Sequence, residues 1–194
     1  RIDTTPDTNG MGADNPTGIS LFVGPANTVS DNRSDNGGAS LDSVNGDVSG
    51  GIVITGTSAG VRVYANVIGL GTFPAGGTPI GALEYGNKGN GIVITSGNNQ
   101  IGGSEVFEAN LILANERHGI LVRGSDVTNV RIQNNFIGAS DPTGLGIFGF
   151  GNRGDGLYIL DASSIKVGGT GEFEDNVIAA NGRHGIKVFD NGTE

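Results

Sequence analysis

A five-residue run that opens on glycine, GIVIT at Gly51, returns as GIVIT at Gly91, GILVR at Gly119, GLYIL at Gly156 and GIKVF at Gly185. A weaker copy, GISLFV, stands at Gly18. No other feature limits the fold as strongly, because a short repeated unit cannot bury its apolar face alone and must stack on its neighbours. From Gly51 onward the steps between copies alternate long and short: long to Gly91, short to Gly119, long to Gly156 and short to Gly185. Pairs of units therefore recur at a nearly constant interval, from Gly51 to Gly119, from Gly91 to Gly156 and from Gly119 to Gly185. The rest of the unit recurs with them: NQIGGS from Asn99 matches IKVGGT from Ile165, EANLILAN matches EDNVIAAN, and YANVIG from Tyr64 matches QNNFIG from Gln133.

Each unit holds two or three short β-branched runs separated by Gly, Asn, Asp and Ser, with no helical periodicity longer than about a turn. Glycine agrees with this: 37 residues, about 19% of the chain against a usual share of about 7%, without a collagen triplet, point to frequent tight turns. A short unit with three strands, such as that from Gly91 to Gly119, makes one rung of a parallel β-solenoid. Each strand then pairs with its counterpart one rung along, about 4.8 Å away. The expected fold is therefore all-β, a parallel β-helix of about six rungs. Residues 1–194 form a single domain in this reading, with weaker repeats over 1–50 and strong ones over 51–194.

Strand alternation assigns the interior. It selects Ile52 and Ile54, Ile92 and Ile94, Ile120 and Val122, Leu157 and Ile159, and Ile186 and Val188. Asn66, Asn110, Asn135 and Asn176 occupy corresponding turn positions, where a side-chain amide bonds to turn backbone and to the amide of the next rung. They are expected to form an asparagine ladder. The long units carry extra loops at equivalent places, after Leu70 and after Gly138, so the insertions should project from one side of the coil.

Several classes of partner are disfavoured. There is no cysteine, so disulfides, thiolate metal sites and a cysteine nucleophile are absent. The net charge of -9 repels nucleic acid and anionic membranes. No apolar stretch reaches eighteen residues, so membrane insertion is not expected. The opening RIDTTPDTNG has no apolar core of a signal peptide, so a leader has been removed or the chain is an excerpt.

The alternation of NxIG, GNGIVI, IGG and HGI resembles the right-handed parallel β-helix repeats of large secreted and surface proteins of bacteria and some archaea. The resemblance covers nearly the whole chain, strongly from Gly51 onward. It implies a right-handed coil and an extracellular or cell-surface setting. It assigns no reaction, because such repeats occur in adhesins and scaffolds as well as in polysaccharide-acting enzymes.

The enzyme patterns of that fold fail here. A pectate-lyase-like site resembles clustered carboxylates holding Ca²⁺ beside a base, and no strand has clustered Asp. A polygalacturonase-like site resembles paired Asp with Gly-His-Gly, whereas Arg-His-Gly stands at 117–119 and 183–185. An alginate-epimerase-like Asp-Pro-His-Glu stops after Asp141-Pro142. No catalytic residue is assigned, and no cofactor is expected beyond Ca²⁺. For that ion Asp7, Asp31 and Asp35 in the oxygen-rich loops DTNGMGADN and DNRSDNGG are the candidate ligands. Neither loop keeps the spacing of an EF-hand.

His118 and His184 share one repeat position two rungs apart, about 9 to 10 Å along the coil, too far to hold one metal. The expectation is a tolerated turn histidine bonded to a neighbouring carbonyl. Lys88, Arg117, Arg153 and Arg183 precede GI strands and would form a column of positive charge at one corner. They either pair with Asp155, Glu116 and loop carboxylates, or, together with the two histidines, receive an anionic glycan. Glu105 and Glu108 match Glu172 and Asp175, flanking Phe107 and Phe173, whose rings are expected to pack over the coil although they could hold a sugar. Asn32 and Asn191 head glycosylation sequons.

Neither end of the chain reads as a cap. Across a head-to-tail join, GIKVFDNGTE running on into RIDTTPDTNGMGADNPTG tracks GILVRGSDVTNVRIQNNFIGASDPTG with small gaps, and the step from Gly185 on to Gly18 has the length of one short rung. The expected role is structural, a unit or tandem segment of an extracellular filament or stalk that binds copies of itself.

Overall fold

A computed structural model of the chain describes residues 20–22, 28–29, 50–55, 60–69, 87–139 and 150–190. Within them the protein is all-β apart from one 3-10 turn at Val106–Glu108. The strands fall into three parallel sheets of five. The first sheet holds β1 (Ser20–Phe22), β4 (Arg62–Tyr64), β7 (Gln100–Gly102), β10 (Arg131–Gln133) and β13 (Lys166–Val167). The second holds β2 (Thr28–Val29), β5 (Val67–Ile68), β8 (Asn110–Ile112), β11 (Asn135–Ile137) and β14 (Val177–Ile178). The third holds β3 (Gly50–Ile54), β6 (Asn90–Ile94), β9 (Ile120–Arg123), β12 (Leu157–Leu160) and β15 (Ile186–Phe189). Every third strand returns to the same sheet in parallel, the arrangement of a β-solenoid.

Register stacks like on like. Ile92 lies opposite Ile52 and Ile120, and Leu157 lies between Ile120 and Ile186. The inward side chains of the third sheet meet Val63, Ile101 and Ile132 from the first and Ile68, Ile112 and Ile137 from the second in one buried cluster. Burying each such side chain contributes about 1.5–3 kcal/mol, so the core grows by addition of layers.

Two expectations change. The run at Gly18 is not a copy of GIVIT, because Ser20 and Leu21 pair with Arg62 and Val63 in the first sheet. Alternation marks a strand but not its sheet. The discriminating signal is downstream, where Ala26-Asn27-Thr28-Val29 matches Ala65-Asn66-Val67-Ile68. Each sheet has five strands among the described residues. Ile186 and Val188, expected inside, are 48% and 69% exposed, because β15 is the outermost strand of its sheet among the described residues. The opposite edge differs: Ile52 and Ile54 on β3 are only 7% and 5% exposed.

Two glycine positions make the close stacking possible. In the IG motif and its VG counterpart, Gly69, Gly102, Gly138 and Gly168 have φ of +104°, +76°, +83° and +76°, a region that glycine enters without penalty. In the GI motif, a Cβ on Gly91, Gly119 or Gly156 would lie 2.6–2.7 Å from the carbonyl oxygen of the equivalent glycine one layer on. It would also lie 2.7–2.9 Å from the side-chain nitrogen of Asn115, Asn152 or Asn181.

Candidate functional site

Two chains of asparagine amides run along the coil. In the first, Asn66 Nδ2 donates to Asn110 Oδ1 at 3.0 Å, Asn110 to Asn135 at 2.8 Å, and Asn135 to Asn176 at 3.0 Å. The same nitrogens donate to turn carbonyls, as Asn110 does to Val63 O and Asn176 to Ile132 O. In the second, Asn87 donates to Asn115 at 2.8 Å, Asn115 to Asn152 at 2.7 Å, and Asn152 to Asn181 at 2.9 Å. Sequence reasoning missed this second ladder, although its signal was present: each member stands four residues before the glycine of a GI strand. The GI glycines leave room for these amides.

A third column lies immediately before those glycines: Asn90, His118, Asp155 and His184. Here the side chains of Asn90, His118 and Asp155 each accept the backbone N–H one layer on. The His118 N–H donates to Asn90 Oδ1 at 3.2 Å, the Asp155 N–H to His118 Nδ1 at 3.0 Å, and the His184 N–H to Asp155 Oδ1 at 3.0 Å. His118 is therefore an acceptor for backbone N–H, not a donor to a carbonyl. The two histidines do not meet, but Asp155 bridges them, with Nδ1 of His184 at 2.7 Å from Oδ1 and Nδ1 of His118 at 3.1 Å from Oδ2. Asp155 is fully buried, and its Oδ2 has no hydrogen-bond partner.

Burial pushes the His118 imidazole down from 6.5 to about 4. Asp155 pulls upward less strongly, and Arg183, Lys187 and Arg117 add to the lowering. His118 is thus neutral at pH 7, with Nδ1 as acceptor, and its contact with Asp155 is not an ion pair there. Its ring sits 5.1 Å from that of Tyr158, and Lys187 Nζ lies 4.6 Å from the Tyr158 ring centre.

The expected single column of cations splits in two. Counted back from the GI glycines, Lys88, Glu116 and Arg153 share one position, with charge alternating in sign, and Arg117 and Arg183 share the next. Lys88 Nζ bonds Glu116 Oε1 at 2.5 Å. Arg117 is buried, whereas Arg153 and Arg183 are exposed. The acidic loops also shift register. Glu108 corresponds to Glu174, not to Asp175, since each stands two residues before a ladder asparagine. Glu108 Oε1 takes Arg62, and Glu174 Oε2 takes the N–H groups of Thr170 and Gly171 at 2.8 and 3.0 Å. Those two N–H bonds hold the Glu174 carboxyl below the usual carboxylate range. Phe107 does not pack over the coil: it is 84% exposed, and Phe173 is 37% exposed.

Among the described residues no group of three His, Asp or Glu side chains is placed to hold a metal ion. Asp7, Asp31, Asp35, both sequons and most of both projecting loops, 71–86 and 140–149, lie outside the described residues.

The C-terminal edge is the most distinctive surface. Beside the exposed Ile186, Val188 and Phe189 stand Asn176 and Asn181, the last amides of the two ladders. A Cβ on Gly185 would find nothing nearer than Ile178 at 3.7 Å. The three parallel sheets and these ladders are consistent with a parallel β-solenoid over the described residues. Comparisons with protein-family models, with curated proteins and with solved structures return no match.

Proposed function

We propose that the protein is a structural segment of a right-handed parallel β-helix, a subunit or tandem unit of an extracellular filament, stalk or surface protein. In this reading the C-terminal edge is completed by a rung of the neighbouring unit. Gly185 carries the proposal. Gly91, Gly119 and Gly156 are crowded by the next layer, yet Gly185 keeps the same residue where no described atom approaches within 3.7 Å. The edge thus retains the space that an incoming layer needs. Asn176 and Asn181 supply amide donors at two corners, and Ile186 and Val188 supply the apolar surface. Three parallel strands, each outermost in its sheet among the described residues, offer the backbone template.

Gly185→Ala tests the reading, because the new methyl group is harmless in the isolated chain and obstructs an added layer. The wild-type chain is expected to form rods in electron micrographs and to sediment faster with concentration. The variant should unfold at the same temperature and remain monomeric. A wild-type chain that stays monomeric at all concentrations, or a variant that assembles equally well, sinks the proposal.

A second reading, glycan binding, is supported by Phe107, whose exposed ring is flanked by the exposed Val106 and Glu105. Retention on a glycan array that is lost in Phe107→Ala would favour it.

A further inference from the structure

One carboxylate oxygen of Asp155, Oδ2, lacks a proton partner where burial demands one. Its Oδ2 is buried without a donor, although His118 Nδ1 lies 3.1 Å away. That nitrogen already accepts the Asp155 backbone N–H at 3.0 Å, so the His118 proton resides on Nε2. A buried charged acceptor with no donor is among the costlier defects in a protein interior. A proton on His118 Nδ1, directed at Oδ2, relieves it, and that proton displaces the Asp155 N–H from the same lone pair.

We propose that His118 is a two-position proton switch: neutral, it accepts the Asp155 backbone N–H; protonated on Nδ1, it donates to Asp155 Oδ2 and releases the amide. No bond other than N–H is made or broken, and the proton comes from solvent. The groups facing the ring are Arg117 from its own corner, Asp155 and Tyr158 from the β12 layer, and Arg183 and Lys187 from the β15 layer. Burial opposes loading most strongly, Asp155 favours it and the three cations add to the opposition, so the switch turns in acid, near pH 4.

The position of the switch gives it a consequence. Asp155 Oδ1 holds both the backbone N–H and Nδ1 of His184, the residue before Gly185 at the open edge. Drawing the carboxylate toward His118 loosens that hold. On the reading that this edge receives the neighbouring rung, acid weakens assembly there.

The test uses the intact chain labelled with ¹⁵N. At neutral pH His118 should show an unprotonated Nδ1 and a protonated Nε2, and below pH 4 both should carry protons. Across that transition the Asp155 amide should lose about tenfold in exchange protection, the worth of one ordinary hydrogen bond. The His118→Asn variant separates the switch from general acid unfolding, because Asn90 plays that acceptor role one layer earlier. It should keep the Asp155 amide protected through the same pH range. Nδ1 protonated at neutral pH, an Asp155 amide unchanged through the transition, or the same transition in His118→Asn would each overturn the switch. Sedimentation at both pH values addresses the edge separately. Assembly at neutral pH that dissolves in acid supports the coupling, and assembly indifferent to a His118 transition seen in the spectra refutes it. Absence of assembly at either pH overturns the filament reading and the coupling together, and leaves the proton swap to the spectra.

Discussion

Removing one amide from the middle of a ladder should cost far more than removing the first. Asn135 donates through Nδ2 to Ile101 O at 3.0 Å, Gln133 O at 2.8 Å and Asn176 Oδ1 at 3.0 Å, and its Oδ1 accepts from Asn110 at 2.8 Å. Two protons serve those three acceptors, so the side chain makes the equivalent of three hydrogen bonds. At about 1 kcal/mol each, plus about 1 kcal/mol for the Asn110 donor left buried without its acceptor, Asn135→Ala should destabilise by about 4 kcal/mol. Asn66 donates only to Tyr64 O at 2.6 Å and Asn110 Oδ1 at 3.0 Å, and its Oδ1 is unpartnered. Asn66→Ala should therefore cost about 2 kcal/mol. Urea unfolding followed by circular dichroism reads both as shifts in midpoint at constant slope. Equal costs, or a larger cost for Asn66, would refute the view that amide-to-amide bonding in the coil interior, and not the turn alone, holds these corners.

The remaining predictions are as direct. His118 is depressed to about 4 in the folded chain from 6.5, so the unfolded state takes up its proton first as pH falls. Stability is complete above pH 6.5 and declines by up to about 3 kcal/mol between there and pH 4, a slope that His118→Asn should remove in denaturant titrations. Gly119→Ala places a methyl 2.7 Å from Gly156 O and should cost about 1–3 kcal/mol, whereas Gly185→Ala should leave the melting temperature unchanged. Ile132→Ala opens a cavity at a fully buried site and should cost about 2–5 kcal/mol, while Val188→Ala, on the exposed edge, should stay within about 0.5 kcal/mol.

The amino-acid sequence by itself determined the parallel stacking, most of the core and one ladder, since all three follow from a period. Ile92 and Ile94 lie inside because alternation at a fixed repeat admits no other face, and Asn110 lies above Asn66 because the turn recurs. What the period does not carry is the exact corner position. Lys88 and Arg153 stand three residues before a GI glycine and Arg117 and Arg183 two, and that one-residue offset moves them to different columns. Only the tertiary structure brought Asp155 between His118 and His184, since the pairing depends on which side chains reach across a layer through the gap that Gly154 leaves. It also decided that Phe107 faces solvent and that Ile186 and Val188, identical in pattern to buried residues, lie on an open edge. A repeat states how each layer meets the next, and burial depends on whether the next layer is there.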